Sequence, residues 1–302
     1  MNFPTIKQLR YFIALVEHAH FGKAAEACHV SQSAFSVAIK ELESTLDAQL
    51  VDRTNKQVTI TNLGREVYQQ ARLVMEDMAT LLEKAAGNAE PLSGKLSLGV
   101  IPTIAPFVLP KIMPRLMQDY PNLQLYLRED QTQRVYEKLM QGELDLILIA
   151  MPYDLRGVDQ MPLFDDPFLL AAREGSQLVD PDNYSFDDLE DESIILLEDG
   201  HCLRDHALAA CHIKHLDKVS RFEASSLLTL IEMVDNDLGI TFLPKMVENS
   251  HFLENTAVKT TPLKEAGARQ IGLAWRKGSA REEEFYMLGE YIRQSCQPEK
   301  AA

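Results

Sequence analysis

The feature that most constrains the fold of this 302-residue chain is a change of hydrophobic period near residue 90. Before it, apolar residues recur at helical spacing, and the stretch from Thr61 to about Gly87 keeps that spacing throughout. After it, short apolar strands alternate with amphipathic helices. The small and polar run Gly87–Gly94 separates the two patterns. The sequence therefore predicts a helical N-terminal part and a separate α/β part, a number of domains that suits this length.

The N-terminal part has the layout of a helix-turn-helix. Helical spacing covers Ile6–Glu17, and the Ala-rich stretch Phe21–Cys28 predicts a short second helix. Ser31 is a plausible N-cap for a third helix, with apolar residues behind it at Ala34, Phe35, Val37, Ala38 and Leu42. The segment LVDRTNKQVTIT then predicts two short strands around Thr54–Lys56, which would form a wing. A small helical bundle with no nucleic-acid role fits the same layout.

Polar side chains at the start of the third helix and in the wing are the candidate DNA contacts. Short polar groups can reach base edges, and cations in the wing can meet phosphates. The candidates are Ser31, Gln32, Ser33, Ser36, Lys40, Arg53 and Lys56. The long helix that follows has an apolar stripe at Val67, Ala71, Val74, Met78, Leu81 and Leu82. Nothing after it in the N-terminal part covers this stripe, which predicts a partner helix.

The C-terminal part alternates strands and helices. Predicted strands fall at residues 95–100, 123–127, 144–150, 193–197, 219–222, 239–243 and 271–275, with a second set of elements beginning near Phe168. Predicted helices fall at residues 105–120, 133–141, 227–234 and 282–296. A β-α-β-α-β order predicts a mostly parallel sheet with helices packed on it.

Composition narrows the class of protein. Hydrophobic content of 46% and charged content of 25% are ordinary for a globular chain. No apolar run approaches the roughly 20 residues of a membrane helix, and the N-terminus lacks the layout of a secretory signal. These features predict a cytoplasmic protein. The net charge of −15 argues against nonspecific coating of nucleic acid, although residues 1–90 are nearly balanced, with nine Lys and Arg against eleven Asp and Glu.

Two of the four cysteines lie close together in sequence. Gly200 ends an apolar strand-like run, so Cys202 would lie in the first turn of a helix, where the helix dipole, His201 and Arg204 are expected to lower the pKa of its thiol. Cys211 follows nine residues later, about 13–14 Å along an intact helix. A disulfide needs Cα atoms within about 7 Å, so bonding would require the helix to unwind. This spacing indicates a redox switch, whereas the alternative is two inert buried thiols.

The N-terminal residues carry a family resemblance. The segment from Leu9 to Gly64 resembles the winged helix-turn-helix of LysR-type transcriptional regulators, with matching landmarks at Phe21, Ala24, Ala25, Ser31, Gln32, Ser33, Ser36, Ile39, Leu42, Glu43, Leu46, Leu50, Arg53, Thr61 and Gly64. GELDLILIA and SSLLTLIEMVDNDLGITFLP resemble the two-lobed, periplasmic-binding-protein-like effector domain of the same regulators. The resemblance implies that the third helix enters the major groove of promoter DNA and that the long helix forms a dimer.

This resemblance sets the expected domain boundaries. Residues 1–61 would form the DNA-binding domain, 62–90 the linker helix and hinge, and 91–302 the regulatory domain. Within that domain, lobe I would take about 91–165 and 268–302, and lobe II about 166–267.

Three further segments resemble the peroxide-sensing members of this family: GHCLRDHALAAC, GVIPTIAPFVLP and EDQTQRVYEKL. The resemblance implies that Cys202 reacts with hydrogen peroxide and that Cys211 resolves it as a reversible disulfide. It also implies a supporting site at His201, Arg204, Asp205, Thr103 and Thr132, although Pro102 departs from the family pattern beside Thr103. The expected protein is an activator of oxidative-stress genes rather than an enzyme. It would be a homotetramer built as a dimer of dimers, meet RNA polymerase, use a cytosolic dithiol reductant and need no cofactor or metal.

Other hypotheses fit parts of the sequence. His206, His212 and His215 lie near the cysteines and could suggest a metal site, but their spacing is irregular. The effector domain could instead answer a small organic ligand, with the cysteines incidental, and Ser225–Ser226 is either a helix cap or a ligand contact. A thiol peroxidase is a third hypothesis, against which the helix-turn-helix counts. Cys28 and Cys296 are expected to be structural or dispensable.

Overall fold

A computed structural model describes residues 3–54, 57–85, 90–180, 184, 186, 189–211, 213, 216–263 and 267–296. The chain divides into two compact units. The first contains residues 1–90 with the short segments 140–143 and 279–281, and the second contains the rest. In the described parts of the chain, no helix is long and apolar enough to cross a membrane.

The first unit contains the predicted helix-turn-helix and the two strands of the wing. Its elements are α1 (Ile6–His18), α2 (Phe21–Ala27), α3 (Gln32–Leu46), β1 (Val51–Thr54), β2 (Gln57–Ile60) and α4 (Asn62–Ala85). Thr5 begins α1 with a capping box, and the Ser31 hydroxyl caps α3 by accepting a hydrogen bond from the Ala34 N–H at 3.3 Å. The strands pair antiparallel, with Val51 opposite Ile60.

One apolar face of α3 packs into the core of this unit. Phe35, Ile39 and Leu42 are fully buried, and the Phe35 ring stacks on Tyr11 with centroids 5.1 Å apart. The prediction placed Val37 with this apolar set and is wrong there, because Val37 is 54% exposed. At 100° per residue, a position two residues after Phe35 points to the opposite face of the helix.

The long helix α4 buries only part of its predicted stripe. Val67 packs against the core of the first unit, and Ala71 is buried. Further along, Val74, Leu81 and Leu82 are 43%, 59% and 63% exposed. Within the described part of this unit, the second half of the stripe is therefore uncovered.

The second unit is a two-lobed α/β domain. Its elements are β3 (Gly94–Val100), α5 (Ala105–Asp119), β4 (Leu123–Glu129), α6 (Thr132–Met140), β5 (Leu146–Met151), β6 (Val158–Arg173), β7 (Ile194–Leu197), α7 (Cys202–Ala210), β8 (Val219–Ala224), α8 (Leu227–Asp235), β9 (Thr241–Pro244), β10 (Val258–Pro262), β11 (Ala268–Arg276) and α9 (Glu282–Cys296). The sequence missed β10 and the first half of β6.

A single long strand, β6, connects the two lobes. Its first half pairs with β11, and its second half pairs with β9 and β10. The strand order is β10-β6-β11-β5-β3-β4. The prediction of a mostly parallel sheet holds for β3 with β4 and β5 and for β7 with β8, but β6, β9, β10 and β11 pair antiparallel. In lobe I, β11 runs against β5 and β6, so β6 has the same direction as β3, β4 and β5. In lobe II, β6 runs against β9 and β10.

Each lobe has its own hydrophobic core. In lobe I, buried residues of β3, β5 and β11 pack with Trp275 and with Phe285 of α9. In lobe II, residues of β7, α8 and β9 pack around Phe242. Cys202 belongs to the first core and Cys211 to the second. Helix α7 therefore places its first residue in one core and its C-cap in the other.

Candidate functional site

The loop before α7 fixes the position of Cys202. Gly200 has a φ of +98°, a conformation that favours glycine. A Cβ atom there would lie 3.0 Å from the side-chain oxygen of Gln131. The chain can therefore turn tightly from the end of β7 into α7 against the start of α6. Cys202, the first residue of α7, is 6% exposed.

Burial dominates the chemistry of the Cys202 thiol. It raises the pKa of Cys202 above its ordinary value, while the nearby Thr132 hydroxyl and the Arg269 charge act in the opposite direction. The sequence had predicted a lowered pKa from the helix start and the neighbouring cations. That prediction is wrong for this reduced state, because a helix end and one cation do not offset nearly complete desolvation.

Thr132 and Thr103 have different surroundings. Both side chains are 2% exposed. The Thr132 hydroxyl, at the start of α6, has no hydrogen-bond partner among the residues that the structure describes, although it lies close enough to Cys202 to lower the thiol pKa. The Thr103 hydroxyl accepts a hydrogen bond from Arg269 Nη1 at 2.9 Å. Thr103 therefore holds a cation, whereas the Thr132 hydroxyl acts on the Cys202 thiol.

The cation beside the thiol is Arg269, from β11. Its side chain is fully buried, and its Nε donates to Asp166 Oδ2 at 3.0 Å. Its Nη2 donates to the Thr103 carbonyl at 3.0 Å, and Asp166 Oδ1 accepts from the Met246 N–H at 3.0 Å. Sequence analysis missed both members of this pair. The available signal was a lone arginine within the apolar strand sequence ARQIGLAW, which only a buried partner would allow.

Arg204 was expected to serve this purpose, but it is bound elsewhere. Its Nη1 lies 2.9 Å from Glu223 Oε1, and its Nε lies 3.2 Å from Asp199 Oδ1. Nη1 also donates to the Leu197 carbonyl at 3.2 Å. Two carboxylates therefore compensate the charge of Arg204, which joins the start of α7 to the ends of β7 and β8.

The other predicted neighbours contribute little positive charge. His201 is 7% exposed, and burial lowers its pKa, with Glu198 opposing the shift from 4.0 Å. It is therefore largely neutral near pH 7. Asp205 is exposed on α7, and its charge acts to raise the pKa of Cys202. Of the five predicted supporting residues, Thr132 and Asp205 act electrostatically on the thiol, and Thr103 acts on Arg269.

His206 and Tyr153 also border this site, and the sequence did not assign them to it. His206 Nε2 lies 2.8 Å from the Pro152 carbonyl oxygen, and its Nδ1 is buried with no partner among the described residues. Burial lowers the pKa of His206, and Arg269 adds to that effect. Burial first, and then the Cys202 charge, raises the pKa of Tyr153, whose hydroxyl donates to Gln133 Oε1 at 3.2 Å.

Cys211 lies in a different environment. It is the C-cap of α7, its N–H donates to the Ala207 carbonyl at 2.9 Å, and burial raises the pKa of its thiol to about 12. All four cysteines are free thiols, and Cys28 and Cys296 are half-buried. The intact helix between Cys202 and Cys211 separates them by about 13–14 Å along its axis, beyond disulfide reach.

Metal ligation has no structural basis in the parts of the chain that are described. No group of three or more His, Cys, Asp or Glu side chains there is arranged to hold an ion. His206 contacts the Pro152 carbonyl, whereas His212 and His215 lie outside the described residues.

Five of the seven predicted DNA-contacting residues lie on α3 or at its N-cap. Ser31, Gln32, Ser33 and Lys40 are exposed, and Ser36 is half-buried. The Ser31 and Ser33 hydroxyls lie 3.1 Å apart. Exposed Val37 lies on the same face, four residues after Ser33 and three before Lys40. Arg53 belongs to β1, but its side chain and the whole of Lys56 lie outside the described residues.

Comparison with known proteins establishes the family to which the chain belongs. Residues 6–65 match the helix-turn-helix of the lysR family of bacterial regulatory proteins, and residues 89–297 match the LysR substrate binding domain. The chain belongs to the LysR family of transcriptional regulators, as its sequence predicted.

Its relatives narrow the comparison further. The DNA-binding transcriptional dual regulator OxyR of Escherichia coli is 38% identical over 288 residues, which cover 95% of this chain and 94% of that protein. A full-length OxyR variant from Pseudomonas aeruginosa superposes with a TM-score of 0.79 at 33% identity, covering 97% of this chain and 96% of that one. A Corynebacterium glutamicum OxyR variant with hydrogen peroxide bound has a TM-score of 0.65 at 30% identity, covering 97% and 93%.

Proposed function

We propose that this LysR-family regulator senses hydrogen peroxide through Cys202 and activates oxidative-stress defence genes through a Cys202–Cys211 disulfide. The observation that carries the proposal is the surroundings of Cys202. The Thr132 hydroxyl and the Arg269 charge act on a buried thiol, and a second thiol lies at the other end of the same helix. The relatives support the proposal, since one of them has been solved with hydrogen peroxide bound.

The proposed chemistry has two steps. In the first, the Cys202 thiolate attacks one peroxide oxygen, the O–O bond breaks, and a sulfenic acid and hydroxide form. The hydroxide takes a proton and leaves as water. In the second, the Cys211 sulfur displaces the sulfenic hydroxyl as water, and the S–S bond forms. Together the two thiols lose two electrons, which reduce the peroxide to two molecules of water.

The second step requires a change of fold around α7. The two sulfurs are buried in different cores, and an intact helix holds them apart. Bond formation must therefore withdraw at least one cysteine from its core and unwind part of α7. This remodelling would alter the contacts of lobe II and, through the regulatory domains of a homotetramer, the spacing of the DNA-binding heads. A cytosolic dithiol reductant would reverse the change.

Mass spectrometry of the reduced full-length protein after a near-stoichiometric pulse of hydrogen peroxide tests the chemistry. We expect wild type to form the Cys202–Cys211 bond rapidly. We expect Cys211→Ser to accumulate a sulfenic acid on Cys202 that dimedone traps, and Cys202→Ser to form neither product.

The other two cysteines provide the matched control. The Cys28→Ser/Cys296→Ser double variant keeps both proposed redox residues and should form the disulfide at the wild-type rate. If all thiols of wild type stay reduced at this dose, the peroxide proposal fails, and a regulator controlled by a small organic ligand replaces it. Sustained peroxide consumption in the presence of a dithiol would instead support a thiol peroxidase.

DNA binding is the second part of the proposal. The outer face of α3 would enter the major groove of promoter DNA, with Gln32 and Ser33 at base edges and Lys40 near phosphate. We expect Gln32→Ala to weaken binding to a specific promoter by about 1–3 kcal/mol while leaving nonspecific binding nearly unchanged. A fluorescence titration at fixed salt measures both. The proposed activation through RNA polymerase is tested by transcription in vitro with reduced and oxidised protein.

A further inference from the structure

The proposed reaction at Cys202 needs a base that accepts the proton of the thiol. The thiol is buried and its pKa is raised, so it is protonated near pH 7, yet the proposed reaction needs a thiolate. Arg269 carries a permanent charge and its donors are occupied by Asp166 and Thr103, so it cannot accept a proton. Threonine hydroxyls are far too weak as bases. Some other group must take the thiol proton.

Three buried side-chain polar atoms in the described part of the chain have no hydrogen-bond partner. One is the indole nitrogen of Trp275, in the core of lobe I. The other two are Thr132 Oγ1, which acts on the Cys202 thiol, and His206 Nδ1, about one helical turn after Cys202 on α7. An unpartnered buried polar atom costs free energy, so His206 Nδ1 is available to accept a proton or to bind a small polar molecule.

The protonation state of His206 follows from its partner. A carbonyl oxygen only accepts hydrogen bonds, so the 2.8 Å contact with Pro152 requires the proton on Nε2. In the neutral ring, Nδ1 is then an unprotonated acceptor. Burial lowers the pKa of His206, and Arg269 lowers it further, which together outweigh the raising effects of the Pro152 hydrogen bond and Asp205, so the neutral form prevails near pH 7.

His206 lies on the same face of α7 as Cys202, so its Nδ1 acceptor is on the side of the helix that carries the thiol. Cys202 and His206 are separated by four residues, or about one helical turn, so their Cβ atoms lie about 5–6 Å apart on one face. The charge of Arg269 acts on both residues, which places them around one cation.

We propose that His206 is the proton-transfer residue of the Cys202 site. Nδ1 accepts the thiol proton, directly or through the bound molecule, and leaves a thiolate beside Arg269. The thiolate attacks the peroxide, the O–O bond breaks, and the imidazolium returns the proton to the departing hydroxide, which leaves as water. His206 ends neutral, and Cys202 ends as the sulfenic acid. This role rests on the proposed peroxide function and adds a residue that the sequence had suggested only as a metal ligand.

The proposal predicts a pH profile with a definite sign. The charged and titratable groups around His206 are Cys202 and Asp205 on α7, Arg269 on β11, and Tyr153 after Pro152. As the pH falls through the lowered pKa of His206, the ring gains a proton and can no longer accept one. The rate constant of Cys202 oxidation should therefore fall on the acid side. In a His206→Gln variant, solvent must remove the thiol proton, so the rate constant should lack the plateau above the pKa of His206 and rise about tenfold per pH unit with the thiolate fraction.

The test measures the second-order rate constant of Cys202 oxidation in the full-length Cys211→Ser protein, by stopped flow from pH 5 to pH 9. General base catalysis contributes about 10²–10⁴-fold, so His206→Gln should be about a hundredfold slower at pH 7.5. His206→Ala should be similarly slow and should regain rate with added imidazole. The matched control is His251→Gln, since His251 is exposed and pairs with Glu254 at 2.8 Å.

The outcomes separate the two proposals. If the parent protein is not oxidised at all, the peroxide function fails. If it is oxidised, but His206→Gln matches its rate and pH profile, only the role of His206 is overturned. A slow His206→Ala protein that imidazole does not rescue, while its circular dichroism and DNA affinity are unchanged, would also count against proton transfer and indicate a packing role.

Discussion

At the scale of single residues, the buried Asp166–Arg269 pair is the strongest determinant of the site. Both side chains are almost inaccessible, and they form a charged hydrogen bond at 3.0 Å. Replacing Asp166 with Leu would leave Arg269 as an uncompensated buried charge. We expect a loss of about 3–5 kcal/mol in the free energy of unfolding, measured by urea titration.

Two further variants identify the cause of that loss. The double variant Asp166→Leu/Arg269→Met removes both charges and should recover most of the stability, because well-packed apolar replacements of a buried pair are often neutral. Asp165→Leu changes the neighbouring, exposed carboxylate and should stay within about 0.5 kcal/mol of wild type. A double variant no more stable than the single one would contradict this explanation.

The Asp166–Arg269 pair also shows which residues of the site could not be predicted from the sequence. The two cysteines and Thr132 could be identified from local sequence and resemblance. Arg269 could not, because it lies 67 residues after Cys202 and its charge acts on the thiol only once β11 has returned to lobe I. Arg204, two residues away, was the natural choice from sequence. Arg204 is not available to the thiol because it pairs with Glu223, and the sequence alone does not show that these two residues meet.

At the scale of elements, α7 is the part that must change during the proposed switch. Reduced protein holds Cys202–Ala210 as helix, and the disulfide requires that helix to unwind. Ala209 is exposed on α7, so replacing it with Gly removes helix propensity without removing core contacts. The substitution destabilises the helical, reduced state by about 1 kcal/mol.

Destabilising the reduced state favours the disulfide. Since about 1.4 kcal/mol corresponds to 30 mV for a two-electron couple, Ala209→Gly should make the reduction potential more negative by about 20 mV. Equilibration against dithiothreitol redox buffers, quantified by thiol trapping, measures this shift. Ala79→Gly, at an exposed position of α4, costs similar helix propensity but should leave the potential unchanged. An unchanged potential in Ala209→Gly would mean that α7 stays helical on oxidation.

Elements were easier to predict than the sheet they form. The bounds of α9 matched the predicted 282–296, because an acidic first turn and a regular apolar stripe identify it locally. The wholly buried strand β5 was equally clear. The direction of β6 and the existence of β10 were not, since β10 is a short, mostly half-exposed strand and its antiparallel pairing with β6 is set by the crossing of the chain between lobes.

At the scale of the whole molecule, the exposed apolar stripe on α4 is a candidate surface for self-association of the chain. Val74 and Leu81 are seven residues apart, so they lie on the same face of the helix, and they are 43% and 59% exposed. An apolar face of this kind favours a partner helix, and we propose that α4 of a second copy covers it. We expect Val74→Glu/Leu81→Glu to weaken self-association by burying two carboxylates in the interface.

Sedimentation velocity of the reduced protein over a range of concentrations measures this effect. Wild type should sediment as a dimer or larger species, and the double variant should shift toward monomer. Ala79→Glu adds the same charge two residues from Leu81, about 200° around the helix, and should assemble as wild type does. A regulator that reads two half-sites needs two heads, so the double variant should also lose the steep protein-concentration dependence of promoter binding. If the double variant sediments like wild type, another surface holds the copies together, and the oxidised α7 must act on that surface to respace the heads.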